Sequence, residues 1–321
     1  EKLSSFSLPF FCQASFLKSL FLAEFFLYIM HYHSYGSVQD SIVWGNTMNT
    51  EYGKKAKKVA VVTGGTSGIG LETVKALNNS GYTVYTVSRR TLNGQVPEYG
   101  EHFSADVTDE DALIKVFAEV WEREARLDVC VCAAGFGISG AVEFTKLEDA
   151  KKQLEVNFFG AFLTMKTAAS YMRKQGFGKI LAVSSVAGEI AIPFQAFYSA
   201  SKAALGKLLE AFAAEVFPFG IQCALIMPGD VATPFTDVRN KSNAGNDIYS
   251  GRITKSIAKM ERDERHGIPA DKLGSFIASL ADKKRIGFLY PYNAPYALLI
   301  SLYRLLPRRL ALFIVRKLYA C

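Results

Sequence analysis

The chain has 321 residues, 50% of them hydrophobic and 21% charged, which is ample apolar material for a core and an ordinary charge content for a globular protein. Its net charge of +7 suits an anionic partner, but there is no zinc-finger spacing and no aromatic-plus-basic RNA motif, which argues against nucleic acid. The cysteines, Cys12, Cys130, Cys132, Cys223 and Cys321, are odd in number and scattered, unlike a disulfide framework, which favours a reducing, cytoplasmic setting.

Residues 1–47 stand apart. Phe and Leu crowd the stretch from Ser7 to Met30, and Lys18 and Glu24 interrupt it. No clean apolar region precedes a small-residue cleavage site, and the run is too broken for a membrane span. The segment reads as an extension outside the functional fold, with Met48 a candidate natural start; a membrane anchor is the alternative reading. From Lys57 the pattern turns regular. Val59–Val62 predicts a buried strand ending in a glycine-rich turn, and residues 69–79 a helix. Tyr82–Val87 and His102–Ala105 predict two further strands, Asp109–Ala125 a helix and Asp128–Ala133 a fourth strand. A long helix is expected over 145–174, a fifth strand at Lys179–Val183, a helix over 195–216 and a sixth strand at Ile221–Ile226. Residues 230–265, with their charged run Lys259–Arg265, read as a mobile loop over a substrate site. Ala270–Leu280 predicts a helix and Gly287–Tyr290 a last strand. Strands alternating with helices, the strands apolar almost throughout, predict an α/β fold with a doubly wound parallel sheet, the Rossmann fold. It occupies one domain over 48–292, followed by an extension over 293–321.

Four features carry chemistry. The turn Thr63-Gly64-Gly65-Thr66-Ser67-Gly68-Ile69-Gly70 lies between a strand and a helix. Glycines there let backbone N–H groups approach a pyrophosphate, and the helix N-terminus adds partial positive charge. At the end of the second strand, where a carboxylate would take the ribose 2′-OH of NAD, the chain has Ser88-Arg89-Arg90. A guanidinium suits a 2′-phosphate, so NADP(H) is favoured, with NAD(H) the alternative. Tyr198 and Lys202 are four residues apart and share a face of the predicted helix. A neighbouring ammonium is expected to lower the phenol's pKa so that it exchanges a proton with an alkoxide. Ser184 and Ser185 close the fifth strand, where a hydroxyl can stabilise developing charge on a substrate oxygen.

In this order, and with Asn157 and Pro228-Gly229 added, these motifs resemble the short-chain dehydrogenase/reductase family over about residues 57–291. The resemblance implies a glycine motif contributing Gly64, Thr66, Ser67, Gly68, Ile69 and Gly70 to the cofactor site. Asp106-Val107 matches the segment whose acidic residue contacts the adenine. Asn157, Ser185, Tyr198 and Lys202 match the catalytic tetrad, with Asn157 holding a water in a relay to Lys202. Tyr198 and Lys202 also border the cofactor, Lys202 binding the nicotinamide ribose. Pro228, Gly229, Val231 and Thr233 match the PG segment, whose Thr meets the carboxamide. One departure is Cys132-Ala133-Ala134-Gly135, where the family usually has Asn-Asn-Ala-Gly. Gly140–Glu143 and Ile192–Tyr198 resemble the branch acting on hydroxysteroids, retinoids and acyl-lipid ketones. Ile192, Phe194 and Phe197 either line an apolar pocket or pack around a helix start.

Residues 294–321 hold two apolar segments separated by Pro307, each too short to span a bilayer. In the second, Leu310, Ile314 and Leu318, with Ala311 and Val315, wind onto one side and Arg308, Arg309, Arg316 and Lys317 onto the other. This suits peripheral contact with an anionic membrane; docking on the protein itself is the alternative. The sequence thus points to an NADP(H)-dependent oxidoreductase acting on a hydrophobic ketone or secondary alcohol, expected as a homo-oligomer without a metal. An NAD-dependent hydroxysteroid dehydrogenase and a non-catalytic dinucleotide sensor are the alternatives.

Overall fold

A computed structural model describes residues 57–89 and 99–319. The expectations for residues 1–47, and for Arg90, Cys12 and Cys321, lie outside the described residues. Seven strands, β1 (Val59–Thr63), β2 (Thr83–Ser88), β3 (Glu101–Ser104), β4 (Val129–Cys132), β5 (Gly178–Val183), β6 (Ile221–Met227) and β7 (Leu289–Pro291), form one sheet. Their order is β7-β6-β5-β4-β1-β2-β3, and every neighbouring pair is parallel.

The strands are apolar throughout because both faces of the sheet are covered. Successive side chains point to opposite faces, so Val59 and Val61 feed one core while Ala60 and Val62 feed the other. The first core receives Leu113 and Phe117 from α2 (Glu110–Glu124), Met165 and Met172 from α4 (Ala161–Gln175), and Leu205 and Leu209 from α5 (Ala196–Val216). The second receives Val74 and Leu77 from α1 (Gly68–Asn79) and Leu273 and Ile277 from α7 (Ala270–Asp282). Phe117 is among the largest fully buried side chains, and its truncation to Ala should cost about 3–5 kcal/mol. α2 starts where its sequence says it should: Asp109 accepts from the Ala112 N–H at 3.0 Å, and Glu110 and Asp111 fill the first turn.

Two expectations need correction. The helix expected over 145–174 is α3 (Leu147–Leu154), a π-type turn over Glu155–Gly160, and then α4. Residues 230–265 are not an irregular loop. Val231–Ala232 pairs with Ile268–Pro269, Asn240–Lys241 pairs with Ile138–Ser139, and Arg252–Arg265 forms a helix, α6. Ile253, Ile257 and Met260 are its buried stripe, at helical spacing. The C-terminal extension forms α8 (Ala294–Leu305) and α9 (Arg308–Tyr319). No described helix is long and apolar enough to cross a membrane.

Candidate active site

From β1 the sheet runs to β2 on one side and has β4 on the other, and such a reversal opens a crevice at the carboxyl ends of the strands. A cavity of about 490 Å³ lies there. Its wall holds Gly64, Thr66, Ser67, Gly68, Ile69, Gly70, Arg89, Asp106, Val107, Ser185, Tyr198, Lys202, Pro228, Gly229, Val231 and Thr233. Every expected site residue except Asn157 therefore reaches one space.

At one end is the glycine turn. Gly64 has φ +70°, and a Cβ there would stand 2.8 Å from the Ala134 backbone. A Cβ on Gly70 would collide with the Gly64 carbonyl. Only glycine lets the turn close this tightly beneath the N-terminus of α1. The first turn of α1 carries no acidic residue, so its N–H groups and dipole are available to an anion. The Thr66 and Ser88 hydroxyls, 3.0 Å apart, tie the turn to β2. Arg89 follows β2 and is exposed, with Nη1 3.8 Å from the Asp106 carboxylate. That carboxylate is fixed by hydrogen bonds from the Thr108 N–H at 3.0 Å and hydroxyl at 2.9 Å. A glycine cradle, an open helix N-terminus and a flanking guanidinium fit a dinucleotide.

At the other end, Ser185 follows β5, and Tyr198 and Lys202 lie near the start of α5. Lys202 Nζ is 5.8 Å from the centroid of the Tyr198 ring and donates to the Val183 carbonyl at 2.8 Å. The two side chains share a face and a cavity, as their spacing predicts. Their electrostatics differ from the expectation. Burial pushes the Tyr198 phenol up to about 12, although a hydrogen bond from Ser185 and the charge of Arg239 pull it down. Burial also brings Lys202 down to about 8. Loss of water around a phenolate outweighs the nearby positive charge. Tyr198 therefore holds its proton at neutral pH, which is the form that can donate to a developing alkoxide.

Asn157 lies behind the wall, 1% exposed in the π-type turn. Its Oδ1 accepts from the Phe136 N–H at 3.0 Å, and its Nδ2 donates to the Phe136 carbonyl at 3.0 Å and the Ser201 hydroxyl at 3.2 Å. Asn157 and Lys202 meet at Gly135, where a Cβ would stand 3.2 Å from the amide oxygen and 3.7 Å from Nζ. A π-type turn at this point fits a functional site.

Sequence reasoning missed several neighbours. Phe235 stacks obliquely 5.7 Å from the Tyr198 ring, and the Arg239 guanidinium lies 5.4 Å from the Phe235 ring. Arg239 is ion-paired with Glu264, which also accepts from the Thr236 hydroxyl at 2.6 Å. Tyr296, in the first turn of α8, donates to Asp230 Oδ2 at 2.7 Å and accepts from the Asp230 N–H at 3.1 Å, and its ring fills the space a Cβ on Gly229 would need. Behind it Leu299, Leu302, Ile314 and Leu318 of α8 and α9 line the same cavity. Pro295 signals a helix start, but nothing local says where that helix docks. Of the three apolar candidates, Ile192 lines the cavity. Phe194 packs instead in a small core with Ile253 and Ile257, and Phe197 lines a separate pocket of about 120 Å³. Cys130, Cys132 and Cys223 are buried and free. A hydrogen bond with Cys132 and burial push the Cys130 thiol up, and burial pushes Cys223 up to about 12, so both behave as small hydrophobes rather than nucleophiles.

A dinucleotide cradle sharing one cavity with a buried tyrosine, lysine and serine is the site of a nicotinamide-dependent oxidoreductase. The family model for short chain dehydrogenase matches residues 58–244. A 3-ketodihydrosphingosine reductase of Bacteroides thetaiotaomicron is 37% identical over 235 residues, covering 72% of this chain and 86% of that protein. A 3beta-hydroxysteroid dehydrogenase of Mediterraneibacter gnavus is 34% identical over 194 residues, covering 58% of this chain and 70% of that protein. Among solved structures, a short-chain dehydrogenase from Streptomyces avermitilis superposes with a TM-score of 0.69 at 29% identity, covering 78% of this chain and 93% of that one. ElxO, solved with NADP bound, superposes with a TM-score of 0.62 at 25% identity, covering 75% and 99%.

The chain belongs to the short chain dehydrogenase family: it is an enzyme acting on CH–OH groups, interconverting ketone and alcohol with NAD(P). Where the family usually has Asn, Ala133 keeps the end of β4 in place by donating its N–H to the Thr63 carbonyl at 3.2 Å and packs on the second core.

Proposed function

We propose that the protein reduces the ketone of a long apolar substrate with NADPH. The observation that carries this reading is the single cavity in which Ser185, Tyr198 and Lys202 share a space with the leucines of α8 and α9. Similarity to a 3-ketodihydrosphingosine reductase supports a lipid ketone. Arg89, placed after β2 with no carboxylate at that strand end, supports the 2′-phosphate of NADP(H), as does likeness to a structure with NADP bound.

When bound, the nicotinamide supplies a hydride to the carbonyl carbon. Tyr198 gives its proton to the carbonyl oxygen, and the Ser185 hydroxyl donates a hydrogen bond to the same oxygen. Lys202 would hold the ribose hydroxyls and keeps positive charge beside the phenol as it becomes phenolate. Asn157 positions the loop at Gly135 and Phe136 and completes the proton path to Lys202. The glycine turn with Thr66, Ser67 and Ile69 would hold the pyrophosphate, Asp106 and Val107 the adenine, and Pro228, Gly229, Val231 and Thr233 the carboxamide side. The catalytic domain spans 48–292, with residues 1–47 outside it. The enzyme works as a cytoplasmic homo-oligomer in peripheral contact with a membrane through residues 294–321.

The test is kcat/KM with NADPH and with NADH across long-chain acyl, sphingoid, retinoid and steroid ketones. NADPH with a long-chain acyl or sphingoid ketone should be fastest. A clear NADH preference overturns the cofactor assignment. The fastest turnover with a steroid and NADH would favour the second reading, a hydroxysteroid dehydrogenase, which similarity to the Mediterraneibacter gnavus enzyme supports.

A further inference from the structure

The two C-terminal helices carry apolar side chains on both sides. Inward, Ile300, Ala311 and Val315 are buried against the body of the protein, so of the stripe expected to face a membrane Ala311 and Val315 are spent on docking, while Leu310, Ile314 and Leu318 stay partly exposed. Outward, Leu298, Leu305, Leu310, Leu312 and Phe313 remain exposed, Leu298 at 61% and Leu305 at 76%. A helix that only docks on its own protein turns a polar face to water; a cluster of large exposed apolar side chains marks an interaction surface.

Its charge says what kind. Residues 294–319 contain no Asp or Glu. Arg304 reaches back to Glu189 at 2.9 Å and anchors α8. Arg308, Arg309, Arg316 and Lys317 are exposed, and among the described residues none is paired with a carboxylate. Leucine and phenylalanine set among cations with no carboxylate to neutralise them match the headgroup region of an anionic bilayer, where apolar side chains enter the acyl boundary and cations meet phosphates. A second copy is a poor occupant: two such helix pairs meeting about a two-fold axis would set like charges against each other.

Leu302, Ile314 and Leu318 line the cavity and are also 50%, 38% and 51% exposed. The apolar wall is therefore continuous from the active-site cavity to the outer surface. We infer that α8 and α9 rest on an anionic membrane surface, and that this wall is the passage by which a lipid ketone reaches Tyr198 without crossing water. The passage rests on the lipid-ketone reading above; the docking does not.

The test uses the full chain and vesicles of phosphatidylcholine alone or mixed with phosphatidylglycerol. Two variants alter only outward side chains: Leu298→Ser with Leu305→Ser and Leu312→Ser, and Arg309→Gln with Lys317→Gln. The unaltered protein should float with the mixed vesicles and much less with phosphatidylcholine alone. The charge variant should bind the mixed vesicles roughly thirtyfold more weakly, from about 1 kcal/mol per cation at the surface, and the serine variant should not float. Both should reduce a short water-soluble ketone at the original rate and lose at least about tenfold on a vesicle-borne long-chain ketone. Flotation unchanged in the charge variant overturns the docking, even if the serine variant misfolds. So does flotation lost from neither variant together with a fall in sedimenting mass in both, which would make a second copy the occupant. Flotation lost with vesicle-borne turnover unchanged overturns the passage. Failure of the lipid-ketone reading looks different: the unaltered protein would float but leave detergent-dispersed long-chain ketones unreduced, overturning the passage and leaving the docking in place.

Discussion

The dinucleotide end of the cavity and its C-terminal roof are made in different ways. The cradle comes from a few contiguous residues, Thr63–Gly70, whose conformation is dictated by Gly64 and Gly70, which cannot be replaced without a backbone collision. The roof comes from residues more than two hundred positions later, held to the segments that follow β6 and β5 by Tyr296 on Gly229 and Asp230 and by Arg304 on Glu189. The cradle fits what the whole family binds; in the function proposed above, the roof selects what else enters. Changes at the catalytic and cradle end should therefore affect all substrates alike, and changes in the roof should discriminate by chain length.

The largest effect should come from Lys202→Met, which keeps volume and removes charge: kcat should fall roughly 10²–10⁴-fold for short and long ketones alike. A loss confined to long ketones would break the comparison. Arg89→Ala should lower kcat/KM with NADPH roughly 10–100-fold, the equivalent of losing a charged hydrogen bond, and leave NADH nearly unchanged. Parallel steady-state assays with the two cofactors check this.

The pH profile sharpens the same end. Burial holds Lys202 down to about 8 while Tyr198 sits near about 12, so reduction should hold steady to about pH 8 and then decline up to tenfold per unit as the ammonium is lost. Lys202→Arg, charged throughout, should flatten that limb. For stability the sign is opposite. The folded value lies below the ordinary 10.5, so the penalty of burying the charge is full below about pH 8 and is relieved as pH rises toward 10.5. The smallest effect should be Tyr296→Phe. It removes hydrogen bonds to Asp230 worth about 1–2 kcal/mol, and should raise KM several-fold for long-chain ketones while sparing short ones.

What was legible in the sequence follows the same division. The strands, the glycine turn and the Tyr198/Lys202 face announce themselves by contiguous or fixed-spacing patterns. α6 did not, because Ile253, Ile257 and Met260 are diluted by charged neighbours along Arg252–Arg265. The π-type turn that carries Asn157 has no local signature distinct from the helices on either side. Spacing identified the lysine beside Tyr198 but neither the burial that pushes the phenol up nor Arg239, the positive charge that opposes it. The amphipathic pattern of α9 was visible, yet only the fold shows that Ala311 and Val315 are spent on the protein and that the outer leucines remain.

The central claim is that Tyr198 hands its proton to the ketone oxygen inside the shared cavity. Single-turnover NADPH oxidation with a long-chain ketone in Tyr198→Phe tests it most directly, since the ring stays and only the proton donor goes. The chemical step should slow at least about a hundredfold with NADPH affinity kept. A step within a few-fold of the unaltered enzyme would contradict it.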